Sequence, residues 1–310
     1  MSSHRTSLLS AMALCASMLA PACHRERAPG AGKHIGVLLP PQGQQLQSEL
    51  KRGLEDAARE KGYVLLITVS DTSAARQKMS IEDFVRRGVD VVILWADGSK
   101  NALPAAEPAR AAGIPVFTVG ATMPAARVVS HVGPDDVGGG RIAARYLVTM
   151  LKGAGRVAII GWPDATPAVD REAGFKEELA NAEHMTLLAA VTGGGVRERA
   201  RKAADDLLRA HPDLDAIFAT DDQGALGALA AVRARGRGNV IIVGYGGTAE
   251  ALEAVAGGTP LRADIAPQPR STGSAAIDAV ASYFASRPPR KLVSVLPRLV
   301  TADSLGPSGR

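Results

Sequence analysis

From His34 onward the chain alternates between two hydrophobic periods. Short, nearly unbroken apolar runs are followed by stretches in which apolar residues recur at helical spacing. The first run, "HIGVLL", ends in "PPQGQQ" and precedes a predicted helix carrying Leu46, Leu50, Leu54, Ala57 and Ala58. The runs "YVLLITV", "DVVILW" and "IPVFTVG" follow, separated by a predicted helix over residues 74–88 and another ending at "RAAG". After "RVVSHVGPDD" the alternation restarts with "RVAIIGW", "TLLAAV", "DAIFATDD", "NVIIVGYGG" and "LRADIAPQP". Between these runs lie helices over "VDREAGFKEELA", "RERARKAADDLLRA" and "QGALGALAAVRARG", and a short one to Val255. A helix over 272–286, burying Ile277, Val280 and Phe284, and one closing strand, "KLVSVLPRLV", complete the pattern. A strand that is apolar on both sides needs cover on both sides, which helices flanking a parallel sheet supply. The pattern therefore predicts an α/β protein of two doubly wound parallel-sheet lobes, each with about four to five strands.

Composition changes this picture only at the edges. At 310 residues, 46% apolar and 22% charged, the chain is long enough to bury a real core in about two domains. Thirty-six Lys and Arg against 31 Asp and Glu give a formal charge of +5, but the basic residues are interspersed with acids, as in "KRGLEDAAREKG". That arrangement suits solvated helix faces and speaks against a nucleic-acid partner. Residues 1–23 stand apart: Arg5, then the apolar "LLSAMALCASMLA", then "APAC". An apolar core too short to span a bilayer, followed by small residues, reads as an export signal. Cys15 and Cys23 both fall in it, so the exported chain has no internal disulfide. Cys23 after "LAPA" resembles a lipobox, in which the cysteine is lipidated and becomes the new N-terminus. Leu19 is one place early for that motif, Pro21 is unusual in it, and "APA" also satisfies an ordinary signal-peptidase site. Residues 24–33, "HRERAPGAGK", form a short tether to the folded body.

Catalysis has little to stand on. The six histidines are isolated, with no pair at the spacing that places metal ligands on one helix face. There is no G-x-S-x-G elbow. "GAGKH" precedes a strand instead of following one, and "VGGGR" opens a helix yet lacks the dinucleotide spacing and the later acid; both are better read as turns than as nucleotide loops. No catalytic residue, metal site or cofactor is expected. In a doubly wound sheet, ligands bind beyond the carboxyl ends of the strands. The residues there are the Gln42 to Gln47 stretch with Gln44 and Gln47, Trp95, Val119 to Ala121, Trp162 to Asp164, Thr220 to Gln223 with Asp221, Tyr245, and Pro267 with Gln268. In a chain only 4% aromatic, two tryptophans and a tyrosine at strand ends are a bias toward a lined cleft.

The ordered series "LKRGLEDAAREKGY", "DFVRRGVDVVIL", "ARAAGIPVFTV", "VVSHVGPDDVGGGRIAARYL", "REAGF", "LLRAHPDLDAIFATDDQGALGAL" and "VIIVGYGGT" resembles the ribose-type periplasmic sugar-binding family, related to the effector domains of the lactose-repressor class. The similarity runs over about residues 34–303. It implies a type I periplasmic binding fold with a three-crossing hinge. One lobe would comprise 34–134 and 267–294, the other 135–266 and 295–303. It further implies a monomeric solute receptor in the periplasm or cell envelope, anchored through a lipid on Cys23. Its lobes close on a sugar or modified sugar and then dock on the permease of an ABC importer. A sensor signalling to a membrane kinase or chemoreceptor is the alternative.

The ligand site departs from that family. Where the family holds an Asn and two aromatics after the first strand, this chain has Gln44, Leu46 and Gln47; its Asp-Arg pair after the fourth strand corresponds to Gly120 and Ala121. Its Asp after the "VGF" run is Gly246, and its hinge Gln matches Pro267, with Gln268 adjacent. By the resemblance, Arg171 in "REAGF" matches a sugar-binding arginine and Asp221 stands at a ligand-binding Asn. These losses predict a pocket with room at Gly246. They also predict that Arg171 suits a carboxylate or phosphate better than a neutral sugar. Each candidate has a plainer reading. Arg171 pairs with Asp170, Glu172 or another carboxylate; Trp95, Trp162 and Tyr245 are core; Gln44 and Gln47 are an exposed helix start; Gln268 bonds backbone. Of the two acids before the helix at 222, Asp221 is assigned to ligand and Asp222 to the cap.

Overall fold

The structure, a computed structural model, describes residues 32–39, 44–70, 73–96, 102–121, 128–193 and 195–306. The export signal, Cys23, the tether as far as Ala31 and the side chain of Gln44 lie outside them. The first half runs β1 (His34–Leu39), α1 (Gln44–Glu60), β2 (Val64–Val69), α2 (Ala74–Arg86), β3 (Val91–Ala96), α3 (Ala102–Ala105), α4 (Glu107–Ala111), β4 (Val116–Gly120) and β5 (His131–Pro134). The second half runs α5 (Asp136–Met150), β6 (Ala154–Gly161), α6 (Thr166–Leu179), β7 (His184–Thr192), α7 (Arg197–Ala210), β8 (Ala216–Ala219), α8 (Asp222–Ala234), β9 (Ile241–Tyr245), α9 (Ala249–Ala256) and β10 (Leu261–Ala266). It closes with α10 (Pro269–Phe284), β11 (Leu292–Val295), β12 (Arg298–Thr301) and α11 (Ala302–Leu305).

Two six-stranded sheets result, ordered β11-β5-β4-β3-β1-β2 and β12-β10-β9-β8-β6-β7. Every strand pair is parallel except β10 with β12. Two differences from the sequence expectation follow. Each sheet has six strands. In addition, "KLVSVLPRLV" is two strands, because Pro297 has no N–H to continue a ladder and the chain changes sheets there. The chain thus passes between the sheets three times: after β5, after β10, and between β11 and β12.

The unbroken apolar runs have a direct structural reason. Along β1, Ile35, Val37 and Leu39 enter one core while Leu38 enters the other; along β6, Val157 and Ile159 face one core and Ala158 and Ile160 the opposite one. Each sheet is therefore sealed on both faces, by α1 with α10 and α2 with α4 in the first, and by α5 with α6 and α7 with α8 in the second. Burying one such Ile or Leu is worth about 1.5–3 kcal/mol. Helices α5 and α6 approach closely because glycines sit at the contact. A Cβ on Gly140 would collide with the Arg171 carbonyl, and one on Gly174 with the Val137 carbonyl. That contact seats Arg171 beside the start of α5.

Candidate functional site

The carboxyl ends of β6, β8, β9 and β10 converge with the N-terminus of α5, and a polar network is buried there. Arg171 on α6 donates through Nε to Asp136 Oδ1 at 2.8 Å and through a guanidinium nitrogen to the Thr220 carbonyl at 2.9 Å. Its guanidinium carbon lies 3.8 Å from the centre of the Tyr245 ring. The Tyr245 hydroxyl donates to the same Asp136 oxygen at 3.0 Å. The Arg171 side chain is 16% exposed and that of Asp136 only 3%, so this is an ion pair withdrawn from water rather than a surface contact.

The electrostatics follow from that burial. Desolvation opposes the Arg171 charge, but Asp136 and Tyr245 more than compensate and hold its pKa above the ordinary arginine value. Burial pushes the Tyr245 phenol up, so it stays protonated and serves as the donor. Burial also raises Asp221, against the Gly224 amide and the Arg171 charge, which pull it down. Asp136 Oδ2 and Asp221 Oδ2 are buried oxygens with no hydrogen-bond partner among the described residues. The plainer reading of Arg171 is right that a carboxylate neutralises it, although the partner is Asp136 rather than its sequence neighbours. The spare cation that a phosphate or carboxylate ligand would need is therefore already matched.

Two sequence assignments change. Asp221, not Asp222, is the N-cap of α8: its Oδ1 accepts from the Gly224 amide at 2.8 Å. Asp222 turns inward, is 4% exposed, and accepts the Thr248 amide through Oδ2 at 2.8 Å. The cap falls to Asp221 because its extended backbone, φ −152° and ψ 163°, aims the carboxylate back over the helix start. The room expected at Gly246 is also absent. Its φ is +150°, and a Cβ there would lie 2.6 Å from Asp222 Oδ2. Gly120, at φ +113°, is comparable, since a Cβ would meet the Ala96 carbonyl at 2.5 Å and the Trp95 ring at 3.2 Å. Both glycines stand where a side chain has been traded for a close backbone approach.

The remaining candidates are spread out. Trp95 is half-buried at the end of β3, against the core beneath α1 and α10. Trp162, 37% exposed after β6, lies across Gly195, where a Cβ would come within 2.8 Å of the indole. Gln47 is half-buried in the first turn of α1. Gln268 precedes α10 and donates through Nε2 to the Leu296 carbonyl at 2.6 Å, linking two of the three crossing segments. Arg171 and Tyr245 thus meet directly, and Asp221 joins them through its neighbour Thr220, whereas the tryptophans and glutamines stand apart from that network. Asp136 and Asp264 escaped the sequence reading. Asp264 carried a usable signal, as a lone acid inside an apolar strand, "LRADIAP". Among the described residues no group of three or more His, Cys, Asp or Glu is placed to hold a metal ion, and no helix is long and apolar enough to cross a membrane.

Comparison with known proteins agrees with this architecture. A family model described as "Periplasmic binding protein domain" matches residues 35–287. The ribose import binding protein of Escherichia coli is 30% identical over 272 residues, 87% of this chain and 89% of that protein. Its Bacillus subtilis counterpart is 29% identical over 253 residues, 81% and 82% of the two chains. Among solved structures, a periplasmic ribose ABC transporter protein from Conexibacter woesei superposes with a TM-score of 0.81 at 22% identity, over 89% of this chain and 94% of that one, a likeness of fold.

Proposed function

The chain belongs to the periplasmic binding protein family, and from that premise we propose that it is the extracytoplasmic receptor of an ABC importer for a neutral sugar or sugar-like solute. The solute binds between the two lobes, hinge closure buries it, and it leaves chemically unchanged when the closed form docks on a membrane permease. The observation that carries the neutral ligand is the charge balance at the second sheet. Arg171 comes with its own counter-ion, Asp136, while Asp221 Oδ2 has no partner among the described residues. Hydroxyl groups supply the donors such acceptors need. A phosphate would instead bring further negative charge beside Asp136 and Asp221.

In this reading Arg171 and Asp221 hold ligand hydroxyls, and the indole faces of Trp95 and Trp162 cover its apolar ring surface. Gln44, Gln47 and Gln268 contribute from the first lobe and the hinge. Tyr245 acts from beneath, because its hydroxyl is committed to Asp136. The receptor is a monomer held at the cell envelope through a lipid on Cys23.

A thermal-shift screen of residues 24–310 against pentoses, hexoses, sugar acids and sugar phosphates tests the proposal. A neutral sugar at 100 times its Kd is expected to add ~2.7 kcal/mol of stability. Stabilisation by sugar phosphates or sugar acids alone would overturn the neutral-ligand reading.

A further inference from the structure

Behind the ligand-facing network lies a second pair of acids that the proposed function does not use. Asp264, midway along β10, is 0% exposed, and Asp222, at the start of α8, is 4% exposed. Both approach Gly244 of β9 from the same side. A Cβ there would stand 2.5 Å from Asp264 Oδ2 and 3.5 Å from Asp222 Oδ1. The other oxygen of each acid is occupied: Asp264 Oδ1 accepts the Gly247 amide and Asp222 Oδ2 accepts the Thr248 amide, each at 2.8 Å. The two facing oxygens have no donor from any other described residue.

Two ionised carboxylates do not stay face to face in a site sealed from water without a cation between them. The charged and titratable groups around the pair are otherwise engaged. Asp221 caps α8, Tyr245 donates to Asp136, Arg197 of α7 pairs with Glu250 of α9, Arg262 reaches the Gly258 carbonyl, and Arg298 of β12 is exposed. We propose that Asp264 and Asp222 share one proton, and that Asp264 is thereby the positioning residue that holds the Gly246–Thr248 turn at the end of β9. The shared proton supplies the donor both facing oxygens lack, and it leaves the outer oxygens to grip successive amides of the turn. Burial, together with Asp222 facing it, holds the Asp264 carboxyl well above the ordinary carboxylate value of 3.8.

The sign of the pH effect follows. A group whose pKa is raised by folding favours the folded state at low pH, and that contribution is lost as pH rises from 3.8 through the folded value. The turn is the element affected, because its amides at Gly247 and Thr248 hang on the pair. Asparagine is the conservative replacement. In Asp264→Asn the amide oxygen keeps the Gly247 amide while the NH2 donates to Asp222, reproducing the protonated state at every pH. Asp222→Asn does the same from the other side. The double variant places two NH2 groups face to face.

The test is the ligand-free melting temperature from about pH 5 to about pH 8, with hydrogen exchange of the Gly247 and Thr248 amides read on the wild type. Expected are a wild-type Tm that falls relative to both single variants as pH rises, so that pH effects common to all of them cancel, a double variant less stable than the two singles predict together, and wild-type turn protection that falls as pH rises. A difference from wild type that stays constant with pH in both singles, or an additive double variant, would overturn the shared proton. So would a wild-type-to-variant difference whose pH dependence vanishes on adding sodium chloride, which would place a cation between the acids. Turn protection independent of pH in wild type decides against the proposal even if the variants fail to fold. Because these readouts need no ligand, they stand whether or not D-ribose, the probe sugar for a parallel affinity titration, binds. Failure of D-ribose to bind would count against the function proposed above and not against the proton.

Discussion

Gly246 and Asp222 form one unit, because the carboxylate of the second fills the space a side chain on the first would take. An acid reintroduced by Gly246→Asp faces a backbone at φ +150° and a buried negative neighbour. We expect it to cost about 1–3 kcal/mol in strain alone and to bring no gain in pentose affinity. Urea denaturation measures the first and the thermal-shift screen the second; a variant as stable as wild type would mean that the turn relaxes freely. Strand ends and matching family positions single out Arg171, Asp221 and Tyr245 in the sequence, and the fold brings them to one buried network. Asp136 was not legible there, since its partners lie 35 and 109 positions away and no spacing rule reaches that far. The cap was assigned to the wrong acid of an adjacent pair because two aspartates before a helix differ only in backbone direction, which composition does not encode.

The central strands were legible because they are sealed on both sides and so read as apolar runs, while most helices present one apolar stripe to the core; the opening of α5 was less so, since its run of Gly138, Gly139 and Gly140 reads as a turn. "RERARKAADDLLRA" coincides with α7, Arg197–Ala210. The reading failed where local pattern carries no partner information. "KLVSVLPRLV" keeps one apolar period while its two halves join different sheets. The helix pairs show the same limit: Gly174 looks like a weak spot in α6, and replacing it by Ala in an isolated helix would gain about 1 kcal/mol. Here the added methyl meets the Val137 carbonyl of α5, so the sign reverses. Gly174→Ala is expected to destabilise by about 1–3 kcal/mol. That is a fall in Tm of roughly 2–4 °C per kcal/mol for a chain of this size, measurable by calorimetry. An unchanged or higher Tm would show that α5 and α6 can separate at no cost.

Across the whole molecule, buried titratable groups occur in both sheets. His131 opens β5 in the first sheet, is 5% exposed, and shares a 2.9 Å hydrogen bond between Nδ1 and the Thr118 hydroxyl. Burial lowers its pKa below the ordinary 6.5, against a smaller opposing contribution from the Gly120 carbonyl. The neutral ring therefore contributes stability that is present above 6.5 and lost as pH falls through the folded value. His131→Gln is expected to gain Tm relative to wild type as pH falls from about 7 to about 5; a difference that stays constant with pH would assign the effect to other groups. The crossing segments set a different kind of limit. β5 ends at Pro134, yet its neighbour in the sheet, β11, begins only at Leu292, and α1 is covered by α10 from Pro269 onward. While the chain is being made, its first half waits with one sheet edge unpaired and one apolar face bare until the second half has been completed. The nascent protein thus spends most of its synthesis unable to finish either half, and a truncation of the last twenty or so residues would strand an open edge on both sheets at once.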